Sequence, residues 1–111
     1  MKPIKVTVKV EINTNWANQT YAMFSTEKHG NIAELDWPIE GYKGVRVYPL
    51  KKNEAEKDMT NHIGYSSIAT GIIGAETATK AYLFDEGYYV TKFDYPKELA
   101  EIRKEAFKVN K

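Results

Sequence analysis

The chain has no cysteine in its 111 residues. That excludes a disulfide framework, thiolate zinc sites, iron–sulfur clusters and cysteine nucleophiles. It also has no excess of charge of one sign: sixteen basic side chains stand against fifteen acidic ones, a formal charge of +1. Proteins that gain affinity by displacing phosphate counterions need a basic surplus, so charge nominates no nucleic-acid partner. No apolar run approaches membrane-spanning length. Met1-Lys2-Pro3-Ile4 leads into alternating polar residues and not into an apolar signal stretch. The expectation is a cytoplasmic protein with no membrane partner, in which the sequon Asn18-Gln19-Thr20 is a chance tripeptide.

Catalytic signatures are equally scarce. No lysine occurs between Lys57 and Lys80, so the glycine-containing stretch from Gly64 to Gly74 is not a Walker loop. Gly71-x-x-Gly74 alone is not a dinucleotide fingerprint, and no G-x-S-x-G elbow is present. Small residues in this stretch suit close helix packing or a bend. An anionic ligand such as a nucleotide would meet Ser66, Ser67 and Thr70 at a helix terminus, and this is the second functional reading. The only imidazoles are His29, beside the turn signal Gly30-Asn31, and His62, spaced four residues from Asp58. An enzyme built on His62 and Asp58 is a further option, but two possible ligands do not make a metal site. Glu34 and Asp36 alternate on one strand face and read as solvated strand residues. No catalytic residue, cofactor or metal is assigned.

Leucine is rare, with four copies, and lysine outnumbers arginine fourteen to two. Lys, Asn and Tyr share A/T-rich codons, which points to an A/T-rich genome of the kind found in many bacteria and their phages.

What the sequence does have is clear patterning. Ile4, Val6, Val8, Val10 and Ile12 alternate with polar residues, the signature of a half-buried strand. Further strands are expected over 20–26, 32–37 and 45–50, with Pro38 and Pro49 as limits. Asn53 is a candidate cap for a helix to about Ser67, followed by a short helix or loop over 66–75. Thr79 to Phe84 and Tyr88 to Phe93 flank Asp85-Glu86-Gly87 and predict a tyrosine-rich hairpin. Asp94-Tyr95-Pro96 then opens a terminal helix with Leu99, Ile102, Ala106 and Phe107 on one face. Strands joined by short turns favour one α+β domain over residues 1–111. The expected architecture is a mainly antiparallel sheet with a central helical segment and a C-terminal amphipathic helix on one face.

Aromatics are the remaining signal: eight tyrosines, four phenylalanines and two tryptophans. Tyrosine joins an apolar ring to a polar tip and suits both half-buried sheet faces and interfaces. The leading expectation is therefore a small non-enzymatic module that binds another protein, with Tyr82, Tyr88, Tyr89, Tyr95, Trp16 and Trp37 as candidate contacts. A phage-encoded modulator or inhibitor of a host defence protein fits the size and codon signature. Homo-oligomerisation is compatible with each reading. Single-stranded nucleic-acid binding along Lys5, Lys9, Lys80 and Lys92 ranks below protein binding, because the aromatic RNP pattern is missing.

Overall fold

The computed structural model describes residues 2–14, 19–37, 44–50 and 62–108, with side chains through residue 104. The chain runs β1 (Ile4–Thr14), β2 (Thr20–Thr26), β3 (Gly30–Asp36), β4 (Val45–Pro49), β5 (Ile63–Tyr65), α1 (Ile68–Asp85), β6 (Tyr88–Asp94) and α2 (Lys97–Lys108). The strands form one sheet in the order β5-β4-β3-β2-β1-β6. All neighbours are antiparallel except β1 and β6, which are parallel. This is the expected single α+β domain, with one parallel pair added.

Period-two alternation decides which way each strand faces. Val8 and Val10 on β1 are buried, whereas Lys5, Lys9 and Glu11 are exposed. On β2, Ala22 and Phe24 point into the same core, and register places Val10 opposite Phe24 and Ile12 opposite Ala22. Leu35 of β3 and Val47 of β4 continue this layer across the sheet. Among the described residues, both helices lie on this face, as an antiparallel sheet permits. At about 1.5 Å per residue, the 18 residues of α1 give a rod of about 27 Å. Six strands spaced ~4.8 Å apart need about 24 Å. One helix can therefore carry the chain from β5 at one edge to β6 at the other, packing on β5, β4, β3 and β6 along its course.

Two segments differ from the sequence-based expectation. Residues 79–84 are not a strand of a hairpin but the last turns of α1. The buried stripe of α1 is Gly71, Ile72, Ala75, Glu76, Thr79 and Leu83, a helical spacing carried largely by small and polar residues. Its periodicity is therefore invisible to a hydrophobic pattern, while its threonines and isoleucines imitate a strand. The Asp85-Glu86-Gly87 signal is real but ends a helix. Gly87 sits at φ 92°, and the Glu86 N–H donates back to the Tyr82 and Leu83 carbonyls. The second difference concerns the central helix. Residues 63–65 are strand β5, and the helix begins only after Ser67, which caps it by accepting the Thr70 N–H at 3.2 Å. Residues 53–61 of the expected helix, Asp58 included, lie outside the described residues, as do Trp16 and Pro38.

The glycines of α1 do what small residues were expected to do. A Cβ on Gly71 would collide with Val45 and come within 3.0 Å of Leu35, and one on Gly74 would strike the Tyr65 ring. The helix therefore lies close on β4 and β5. At the far end of the chain, Leu99 of α2 is fully buried and Ile102 packs against the core, as the terminal helix pattern predicts.

Candidate functional site

The end of α1, the Gly87 turn and the start of β6 come together with the β2–β3 turn. Tyr82 leaves the last turns of α1, and Tyr88 and Tyr89 open β6. The alternation of β6 sends Tyr88 to the helix side, opposite Ile4, and Tyr89 to the open side, opposite Lys5. His29 bridges the group: its ring stands edge-on to Tyr88 at 4.8 Å and to Tyr82 at 5.8 Å. The imidazole is fixed from below, since the Thr26 hydroxyl lies 3.0 Å from His29 Nδ1 and also accepts the His29 N–H. His29 is thus half-buried among aromatics, not an open turn residue.

Lys28 places its ammonium 5.5 Å from the Tyr88 ring centre, and this tyrosine holds the amine above its ordinary range. Burial, then Glu86, pushes the Tyr82 phenol up. Around this cluster are Ile4, Phe84 and Tyr89, which are 60%, 67% and 57% exposed. Four large hydrophobics among the described residues are this open to solvent, and three of them share this end; the fourth is Ile63 on β5. Ile63 borders a separate apolar groove of about 530 Å³ between β5 and α1, floored by Tyr65, Ile73 and Gly74.

The other candidate residues are placed elsewhere. Tyr95 turns inward, and its hydroxyl donates to Glu76, a carboxylate only 4% exposed. Arg103 of α2 reaches the same carboxylate through Nε and, at 3.2 Å, through Nη2. Burial, followed by the Glu76 bond, raises the Tyr95 phenol far above its ordinary range, and Glu76 raises Arg103 as well. The trio ties α1, the β6–α2 junction and α2 together. Trp37 packs against the core, and its carbonyl accepts from Gln19 at 3.0 Å. Ser66 and Ser67 are exposed, and the Ser67 and Thr70 hydroxyls are engaged with one another at the cap of α1.

On the opposite sheet face, Glu34 and Asp36 are not fully solvated. Tyr48 and Met23 flank Glu34, and Arg46 and Tyr21 flank Asp36. Burial first, then the hydrogen bond and charge of Asp36, push the Glu34 carboxyl up to about 8. His62 lies at the border of this face with its ring 5.4 Å from that of Tyr48. Lys5, Lys9 and Lys92 share this face by register, but Lys80 sits on α1, so the four lysines do not form one track.

Among the described residues no group of three or more His, Asp or Glu could hold a metal ion, and no helix is long and apolar enough to cross a membrane. Comparison with protein-family models, curated proteins and solved structures finds no match for the chain.

Sequence reasoning found Tyr82, Tyr88 and Tyr89 through aromatic content alone. It missed Ile4, Phe84, Lys28 and His29, because a hairpin would have kept residue 84 in the sheet. It also missed Glu76 and Arg103; a glutamate inside a helical stripe of buried positions is the signal that would have found them.

Proposed function

We propose that the protein is a small non-enzymatic binding module. It contacts a folded protein partner through the end built from Ile4, Tyr82, Phe84, Tyr88 and Tyr89. The observation that supports this most is that Ile4, Phe84 and Tyr89, all highly exposed, border the Gly87 turn, Ile4 on the helix side of the sheet and Tyr89 on its open side. Large apolar side chains gathered at one site resemble an interface centre, and tyrosine is favoured there because its ring adds contact area at small entropic cost. Lys5, Lys28, Asp85 and Glu86 are exposed around it, with Glu86 near enough to Lys28 to raise its ammonium, and give the patch a polar rim of both signs. The partner surface that fits is an apolar ridge flanked by mixed charge, not a polyanion.

Site-specific photocrosslinking tests this. A photoreactive residue at Phe84 or Tyr89 should give one discrete adduct with a partner, and the same residue at exposed Thr7 should give none. Phe84→Ala and Tyr89→Ala, which leave the core untouched, should abolish the adduct. Equal labelling at Thr7 defeats the reading. An adduct made only with a second copy of the chain turns it into self-association.

A further inference from the structure

β5 and β6 are the two outer strands of the sheet, and only one of them is guarded. β6 carries a bulge against β1 and exposed charges at Lys92 and Asp94, features that discourage a further strand. β5 pairs with β4 without a bulge, and residues 62–75 contain no Lys, Arg, Asp or Glu. Register sets Tyr65 opposite Val45 and Ile63 opposite Val47, so both side chains lie on the helix side. Val8, Phe24, Leu35 and Val47 are fully buried on that side, yet Ile63 is 48% exposed. Next to Ile63 lies the groove of about 530 Å³ along α1, lined by Tyr65, Ile73, Gly74, Ala78 and Ala81. The Thr70 and Thr77 hydroxyls at its border donate to the Ser67 and Ile73 carbonyls, at 3.0 and 2.9 Å, so these donors are spent within the helix. A Cβ on Gly44, just before β4, would strike the Tyr65 carbonyl oxygen, so that carbonyl is directed at β4. Alternation in an antiparallel ladder then turns the Gly64 N–H and C=O outward.

We infer that β5 is the edge through which the protein pairs with a second copy of itself. The second β5 adds antiparallel to the first, about a twofold axis at Gly64. Each Gly64 exchanges both main-chain hydrogen bonds with its counterpart. Ile63 of each copy then stands opposite the partner's Tyr65, and strand spacing of ~4.8 Å lays the added strand along the groove. The contact is isologous, because the exposed apolar residue and the groove that receives it belong to the same edge. An uncharged edge also meets its own copy without like-charge repulsion. The inference does not rest on the aromatic end, which lies by β6 at the opposite edge and stays open in the pair.

The test combines sedimentation equilibrium with crosslinking of the whole chain. The mass should rise with concentration from 12.7 kDa toward twice that value. Ile63→Glu should weaken association about tenfold or more with the melting temperature kept, whereas Tyr89→Ala should leave it unchanged. The chain has no cysteine, so Gly64→Cys introduces a single thiol, and a Cβ there meets nothing within 4 Å. Its two copies stand with Cα atoms about 5.5 Å apart in the pair, within reach of a one-carbon bis(methanethiosulfonate). Ser66→Cys sets the two thiols four residues out of register, about 13 Å apart, and should resist the same reagent. If Ile63→Glu does not fold, the two cysteine variants alone decide. A chain monomeric at every concentration would overturn the inference and leave the groove to a different occupant. A dimer lost in Tyr89→Ala but kept in Ile63→Glu, or crosslinking at residue 66 and not at 64, would overturn it as well.

Discussion

Glu76 and Glu34 lie on opposite faces of the same sheet and have lost water to different degrees. Glu76, under the helices, is 4% exposed and is met by a guanidinium and a phenol. Glu34, on the open face, is half-buried and is met by another carboxylate. A carboxyl group removed from water needs an opposite charge, hydrogen bonds or a proton. Glu76 is supplied with the first two by residues 19 and 27 positions further along the chain. Glu34 meets the like charge of Asp36 and keeps its proton instead, to about pH 8. Burial alone therefore does not decide how an acidic side chain is accommodated; its partner does.

Removing one member of the Glu76 group breaks the comparison most severely. Glu76→Ala removes the buried acceptor shared by Arg103 and Tyr95 and should cost about 3 kcal/mol in chemical denaturation, as for other broken buried pairs. Replacing Glu76 and Arg103 together by leucine should recover much of that loss, because no uncompensated charge remains. Gly71→Ala attacks the same face from the other end of α1. The new methyl group meets Val45 and Leu35, lifts the helix and should cost about 1.5 kcal/mol despite alanine's better helix propensity. Tyr95→Phe keeps the ring packing against Phe24 and Phe93 but deletes one donor to Glu76, for a loss of ~1.5 kcal/mol or less.

The smallest effect is on the open face and appears as a pH dependence. Folded Glu34 holds its proton to about 8, whereas an unfolded glutamate releases it near 4.5. The folded state binds more protons between those limits, so stability should fall as pH rises from 4.5 to 8. Partial exposure screens the group and reduces the change to ~1 kcal/mol. Glu34→Gln should flatten that part of a melting-temperature profile, and an unchanged slope would assign it to other groups.

The same contrast explains what could be read in advance. β1 and β4 were legible because apolar and polar residues alternate where one face is wet, β1 most clearly, while β2 and β3 were bounded by the turn residues around them. Residues 68–85 were not, because Gly71, Ala75, Glu76 and Thr79 occupy the buried stripe, where a pattern search looks for leucine. Tyr88 and Tyr89 were legible as aromatics, but their neighbours depended on whether residues 79–84 form a strand or a helix. The pairing of Glu34 with Asp36 on one face was visible from spacing, while the partial burial that raises Glu34 depends on β2 and β4 lying on either side. Glu76, Tyr95 and Arg103 meet only after α2 has docked.

The parallel pairing of β1 with β6 has a consequence for synthesis. The Thr91 hydroxyl donates to the Val6 carbonyl across 85 positions of chain. As the protein leaves the ribosome, β1 can pair at once with β2 on one side. Its other edge stays without β6 until residues 88–94 have emerged. Closing so long a loop makes this a late step in folding, and the strand with the clearest pattern in the sequence is completed among the last.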